Sequence, residues 1–520
     1  MNYLMTIDAG TGSVRAVIFD ELGNQISMGQ MEWTHLEEDG VPNSMNFDFK
    51  ANWQLTIMCI RKALRDAKLT KKDIKAVSAS SMREGIVLYD KNGQELWAVA
   101  NVDASAGKEV KYLKDNFKGI EEKFYKQSGQ TFALGAIPRI LWLKNNRPKI
   151  YKKVAKVSMI SDWILAKLSG IITTDPSNGG TSGIFSLERR DWLPNMATKV
   201  GIKNNIFPKT YESGTVIGNI TEDASFSTGL DTNTLVVAGG GDVQLGSAGL
   251  GVVNSGDVAI LGGSFWQQVV NMPCATKPPK DMNIRVNPHV ITNISQAEGI
   301  TFFSGLVMRW FRDAFCQEEI KEANDKGIDT YALLEEKASE VPVGSNGILP
   351  IFSDSMKYSK WYHASPSFLN LSIDPAVCNK ASMFRSLQEN ACIVSNINLK
   401  NIEKFTGIKT KEIVFASGAS NGKLWCQILA DVTGCIVKVP KVKEATALGG
   451  AMCAGVGAGI YNSIADASKK LVVWEKEYKP NKKNTKLYKK ITKQWQKAYK
   501  SQLKLVDNNI TTSMWKAPGL

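Results

Sequence analysis

Leu235-Val236-Val237-Ala238-Gly239-Gly240-Gly241-Asp242-Val243-Gln244 is the stretch around which the chain is organised. A short apolar run rich in β-branched residues predicts a buried strand, and three glycines at its end predict a sharp turn with close backbone approach. Asp242 is then offered at a strand exit, with no side chain on the three preceding residues to cover it. In an open α/β sheet, catalytic groups sit at such exits. Alone, the same residues also fit a tight turn with a capping aspartate, so the rest of the chain has to decide.

At 520 residues the chain exceeds one ordinary core and predicts two to four domains. Hydrophobic content of 43% and charged content of 22% fit a soluble globular protein, and no run approaches the roughly 18 apolar residues of a membrane span. The first residues read as a strand with an early carboxylate, and no secretory signal is expected. Eight cysteines without a CxxC spacing predict reduced thiols and a cytoplasmic location. Only three histidines, His35, His289 and His363, occur far apart, which disfavours a histidine zinc site or a Ser-His-Asp triad. A carboxylate is the expected base.

The net charge of +14 raises the question of nucleic acid. Much of the excess lies between Lys469 and Lys497, where lysines alternate with Leu487, Tyr488, Ile491, Trp495 and Tyr499 at helical spacing. That pattern predicts an amphipathic helix with a solvated lysine face, and no nucleic-acid or membrane partner is expected.

The chain opens with a strand from Tyr3 to Ile7, the turn Asp8-Ala9-Gly10-Thr11-Gly12-Ser13 and a strand from Val14 to Asp20. Such a hairpin can wrap an anion in backbone N–H groups and hydroxyls, and Asp8 can hold a metal through water. Neither a P-loop nor a Rossmann fingerprint is present. A helix is expected from Ala51 to Ala67, and a strand from Ile74 to Ser80 ending in Arg83 and Glu84. That pair fits either a polyol hydroxyl array or a surface ion pair. Asp103 offers a further carboxylate, and Asp175 to Asn178 reads as a turn beside a cleft. Gly262-Gly263-Ser264, between two further strands, repeats the opening device and predicts a duplicated architecture with phosphates held between two facing halves. Ser417 to Gly422 leads into a helix from Lys423, a setting for an anion or a flat ring on exposed backbone.

Together DAGTGS (8–13), MREG (82–85), GGGD (239–242), LGGSFW (261–266), AEGITFFSGLVMRWFRD (297–313), SGASNGKLWCQILADVTG (417–434) and KEATALGGAMCAGVGAG (443–459) resemble the FGGY carbohydrate kinases, from end to end of the chain. The resemblance implies an α/β protein of two actin/hexokinase-like (ribonuclease H-like) domains with an active site in the cleft between them. The boundary is expected near residue 245: 1–245 for sugar and phosphate, and 246–520 for nucleotide, with the lysine-rich helix packed back on the body. It also implies ATP and Mg2+ as cofactors, with Asp242 as catalytic base and with Asp8 and Asp242 near the metal.

By the same resemblance Asp8, Gly10, Thr11, Gly12 and Ser13 cradle phosphates from one side and Gly262, Gly263 and Ser264 from the other. Gly305, Gly418, Ala419 and Asn421 match nucleoside-binding positions, and Arg83, Glu84, Asp103, Asp242 and Gln244 match substrate-binding ones. Two departures stand out: Asn101-Val102-Asp103-Ala104-Ser105 replaces a common Trp-x-Asp-x-Arg, and Ser417-Gly418-Ala419 replaces three glycines. NVDA (101–104), GGSFWQQVVN (262–271), RVNPHV (285–290), the FSDSMKY…WYHASPSF stretch and WKAPGL (515–520) resemble the quorum-signal branch of the family. That implies transfer to the C5 hydroxyl of linear 4,5-dihydroxy-2,3-pentanedione, with the phosphocarrier protein of the sugar phosphotransferase system as a possible partner. A pentulose or polyol kinase, and a nucleotide-dependent sensor without transfer activity, remain open at this point.

Overall fold

Two mixed sheets built on one plan carry the chain in the computed structural model, which describes residues 2–354 and 362–519. The first sheet runs, from one edge, Val216–Asn219, Leu235–Gly241, Ile74–Ser81, Tyr3–Ala9, Ser13–Asp20, Gln25–Glu32. The second contains Trp474–Tyr478, Ile436–Pro440, Glu412–Ala416, Val258–Gly262, Trp266–Pro273 and Ile294–Thr301 in the corresponding order, with Arg285–Pro288 added at the far edge. Each has an antiparallel three-strand meander, two parallel strands and an antiparallel edge strand. Both expected hairpins are present, and the duplication is a property of topology more than of sequence.

The helices that follow matching strands, Asp242–Gly249 and Ala445–Gly457, pack on each other between the sheets. Their contact is reciprocal. A Cβ on Gly249 would lie 1.9 Å from the Ala445 carbonyl, and one on Gly449 would lie 2.0 Å from the Leu245 carbonyl. Glycine here permits backbone-to-backbone approach. The helix Ala445–Gly457 also lies on the first sheet, where the Thr6 hydroxyl donates to the Ala447 carbonyl at 2.8 Å. The expected boundary near residue 245 therefore falls inside a helix of the interdomain pair.

Within the first half, a five-stranded sheet (Leu36–Glu38, Val41–Asn46, Glu95–Val99, Ile86–Tyr89, Lys156–Met159) and its helices form a lobe with its own core. The lysine-rich segment is divided: Lys469 and Lys470 end the helix Ile464–Leu471, Lys476 lies in the strand Trp474–Tyr478, and the lysines from Lys482 on belong to one helix, Lys482–Asp507. It buries Tyr488, Trp495, Tyr499 and Val506 and rests on the second-half core. Beyond it, Trp515 stacks on Phe302 at 5.6 Å.

Two local expectations change. Gly239, Gly240 and Gly241 do not turn; they continue the strand to its end, and Asp242 opens the helix directly. Their need for glycine is closeness, since a Cβ on Gly239 would lie 1.8 Å from the Ala79 carbonyl. Asp175 to Asn178, expected as a turn beside a cleft, belongs to a buried single turn of helix, Pro176–Gly179, with Asp175 as its N-cap. Part of the FSDSMKY…WYHASPSF stretch, 355–361, lies outside the described residues.

Candidate active site

The cleft floor is made where the two sheets' strand ends meet. Asp242 sits at the N-terminus of its helix with 39% of its side chain exposed, and its carboxylate accepts from the Val243 N–H at 2.7 Å. Its recessed position pushes its pKa up to about 6; the Arg83 charge opposes that shift, and Asp8 and Glu84 reinforce it. Asp8, expected at a strand exit, lies within Tyr3–Ala9 and pairs with Arg15 at 3.1 Å. Arg15 also reaches Glu444 of the second half at 2.6 Å. Burial raises Asp8 above the usual carboxylate range, against the pull of Arg15 and Ser80.

Arg83 and Glu84 do not form the fork expected of them. Arg83 turns both terminal nitrogens onto Glu298, at 2.5 and 2.8 Å, and leaves Nε 3.6 Å from Asp242. Glu84, at φ +66°, pairs instead with Arg285. Both pairs cross from the first half to the second and are buried, so they tie the halves together beneath the site. Burial opposes ionisation of Glu298, but the Arg83 guanidinium outweighs it and holds Glu298 below its ordinary range.

Asp103 is also differently placed. Its carboxylate is fully buried and accepts from the Met45 N–H and the Ser105 hydroxyl, both at 2.9 Å, with Arg139 Nε at 3.7 Å. Ser105 stands where many family members carry arginine; here a guanidinium comes from Arg139, which also donates to the carbonyls of Glu84, Asn101 and Asp103. Gln244 is buried, donates to Gln296 at 3.1 Å and leaves its Oε1 without a hydrogen-bond partner.

The carbonyls of the opening turn are occupied by donors. Trp33 Nε1 donates to the carbonyls of Gly10 (3.0 Å) and Thr11 (3.2 Å), and the Trp33 N–H donates to Gly12 at 3.1 Å. His35 Nε2 lies 2.7 Å from the Thr11 carbonyl; a carbonyl only accepts, so that nitrogen carries the proton. Burial lowers the His35 pKa, which fits the neutral ring. Thr11 and Gly12 are exposed, as are Gly263 and Ser264 in the second hairpin.

One cavity of about 1040 Å³ in the second half gathers all seven residues expected there: Gly262, Gly263, Ser264, Gly305, Gly418, Ala419 and Asn421. Gly305 lets its helix abut the phosphate turn, since a Cβ would stand 2.4 Å from the Gly263 carbonyl. Tyr331, Glu335 and Trp425 also line the cavity and were not singled out in the sequence. Glu335 accepts from the N–H groups of Leu424 (3.3 Å) and Trp425 (3.1 Å). It occupies the helix N-terminus that an anion would otherwise use, which leaves the flat-ring alternative for this turn.

Asp8 sits close enough to Asp242 for its charge to raise the Asp242 pKa, and both offer hard oxygen donors. Among the described residues no three-ligand metal cluster exists. That donor set fits a magnesium ion carried mainly by phosphates and water.

The models of the FGGY family of carbohydrate kinases match residues 3–249 (N-terminal domain) and 278–458 (C-terminal domain). The chain belongs to this family, and it is a phosphotransferase with an alcohol acceptor and ATP as donor. It is 56% identical over 522 residues to an autoinducer-2 kinase of Klebsiella pneumoniae, covering 100% of this chain and 98% of that protein. It is 55% identical over 520 residues to one of Yersinia enterocolitica, with the same coverage. Among solved structures, a xylulose kinase of Rhodospirillum rubrum aligns at TM-score 0.84 and 19% identity over 96% of this chain and 99% of that one. A Plasmodium falciparum glycerol kinase with ADP aligns at 0.83 and 18% over 97% and 98%. These two fix the fold.

Proposed function

We propose that the chain phosphorylates the quorum-sensing signal autoinducer-2, in its linear form 4,5-dihydroxy-2,3-pentanedione, on the C5 hydroxyl. The products are phospho-autoinducer-2 and ADP. The observation that carries the substrate is the full-length 56% identity to autoinducer-2 kinases. Asp242 supports the chemistry, because its carboxylate is partly exposed and, among the described residues, has no cation closer than Arg83 Nε at 3.6 Å.

Asp242 accepts the C5 hydroxyl proton as that oxygen forms a bond to the γ-phosphorus; the bond from phosphorus to the β,γ-bridging oxygen breaks and ADP leaves. The transition state is loose, so orientation and charge neutralisation matter more than base strength. Arg83, held by Glu298, keeps a fixed positive charge beside Asp242. The turns at Gly10–Ser13 and Gly262–Ser264 supply N–H groups to the phosphates, and the cavity at Gly418–Asn421 takes the nucleoside. Asp8 and Asp242 are the residues that would hold a magnesium ion, which would supply charge neutralisation to the phosphates. The first half thus serves the sugar and the second the nucleotide. Eight unpaired cysteines support a reducing cytoplasm, and no helix among the described residues is long and apolar enough to cross a membrane. The phosphocarrier protein remains a proposed partner, supported by family resemblance alone.

A screen of ADP release with dihydroxypentanedione, xylulose, ribulose and glycerol tests the substrate. The reading expects the highest kcat/KM for dihydroxypentanedione; a preferred pentulose or glycerol would replace it, and ligand binding without turnover would indicate a sensor.

A further inference from the structure

Beneath the catalytic strand lies a polar device that the transfer step does not use. The antiparallel pairing of the strand Leu235–Gly241 runs as far as Ala238, whose N–H donates to the Thr215 carbonyl at 2.9 Å and whose carbonyl accepts from the Gly214 N–H at 2.8 Å. A side chain takes over that edge. Ser177 Oγ accepts from the Gly241 N–H at 2.9 Å, one residue before Asp242. Ser177 and Asp175 are 0% and 1% exposed. Asp175 Oδ1 accepts from the N–H groups of Ser177 (2.8 Å) and Asn178 (3.0 Å) and from the Ser177 hydroxyl.

From this geometry we propose that Asp175 and Ser177 are positioning residues, which fix the Gly241 amide and so the angle at which the strand delivers Asp242. The proposal rests on the reading of Asp242 as base. An ionised carboxylate only accepts, so the Ser177 proton must point to Asp175 and the hydroxyl oxygen must turn its lone pairs outward, to Gly241. Gly240 is part of the device, because a Cβ there would lie 2.5 Å from Ser177 Oγ. The pair is further held from behind: Asn178 donates to Ser81 (2.7 Å) and Ser161 (2.8 Å).

Among the described residues no cation pairs with Asp175, whose neighbour is a second buried acid, Asp162. Burial raises both acids, Asp175 to about 6 and Asp162, beside the charge of Asp175, well above the usual carboxylate range, so at neutral pH Asp162 carries the proton and Asp175 the charge. Asp162 in turn accepts from the Thr174 hydroxyl at 2.8 Å. A neutral amide at 175 would cap the same turn but would not dictate the sense of the Ser177 hydroxyl.

The test compares Ser177→Ala, Ser177→Cys and Asp175→Asn with wild type, using ATP and dihydroxypentanedione. Displacement of a reacting group by about an ångström costs on the order of a hundredfold. Ser177→Ala is therefore expected to lower kcat at saturation by about ten- to a hundredfold, with the calorimetric affinity for ADP within about twofold of wild type. Ser177→Cys, a weaker acceptor, falls between, and Asp175→Asn also loses kcat. Hydrogen exchange of the peptide spanning Gly241 rises in Ser177→Ala. Wild-type kcat in Ser177→Ala overturns the proposal, as does a kcat loss matched by equal losses of ADP affinity and thermal stability. If Ser177→Ala does not fold, Asp175→Asn decides by the same two criteria. Full turnover in Asp242→Asn would defeat the base reading itself, whereas loss there with wild-type kcat in Ser177→Ala defeats only the positioning.

Discussion

With Asp242 as the proposed base, its environment is what most directly shapes turnover. With its pKa pushed up to about 6, it is ionised at neutral pH and takes a proton as the medium becomes mildly acidic. Because the ionised form accepts the hydroxyl proton, kcat is expected to fall about tenfold per pH unit below about 6, read from a pH–rate profile at saturating substrates. For stability the sign is reversed. The folded-state value lies above that of an ordinary aspartate, so the group favours folding most at low pH and that contribution is lost as pH rises through about 6. Glu298 behaves oppositely: its lowered pKa gives stability that is present at neutral pH and lost as pH falls through the folded value. Glu298→Gln, which leaves the buried Arg83 guanidinium with only the longer pairing to Asp242 at 3.6 Å, is expected to cost about 3–5 kcal/mol in denaturant unfolding.

Some of this was legible in the sequence and some was not. Asp242 and the Gly/Ser turns were, because a strand ending in glycine and carboxylate is a local pattern. The partners of Arg83 and Glu84 were not. Glu298 and Arg285 lie more than two hundred residues away, and only the sheet-to-sheet approach brings them together. Asp103 was found as a carboxylate near the site, but its burial against Met45 and Arg139 depends on the packing of the inserted lobe.

At the scale of elements, glycines separate into two kinds. Gly449 and Gly249 exist so that two helices touch; a side chain at either would meet a backbone carbonyl. Gly449→Ala is expected to destabilise by at least the about 1–3 kcal/mol of an overpacked core, seen in denaturant unfolding. A Cβ at Gly12 or Gly418 meets nothing within 4 Å, and neither has a positive φ. Gly418→Val should therefore leave thermal stability near wild type, yet raise KM for ATP, because the space it fills lies in the nucleotide cavity. Equal stability loss in Gly418→Val and Gly449→Ala would contradict the division. Periodicity foresaw the lysine-rich helix with its buried Tyr488, Trp495 and Tyr499, but the capping of Lys423–Thr433 by Glu335 came from another helix and left no local signal.

Across the whole molecule, the duplicated sheets, the packed helix pair and the ion pairs Arg83–Glu298, Glu84–Arg285 and Arg15–Glu444 join the two halves, and on the proposed reading Asp242 stands there between a sugar side and a nucleotide side. The repeat was visible as two Gly/Ser hairpins, while the reciprocal glycine contacts were not, because they follow from the sheets' shared topology. The direct test of that arrangement is kcat for ATP-dependent phosphorylation of dihydroxypentanedione by Asp242→Asn, with ADP affinity and melting temperature measured on the same preparation. A positioned base contributes roughly 10²–10⁴-fold, so kcat should fall by that factor while ADP affinity and stability stay near wild type. Wild-type kcat in Asp242→Asn would contradict the assignment.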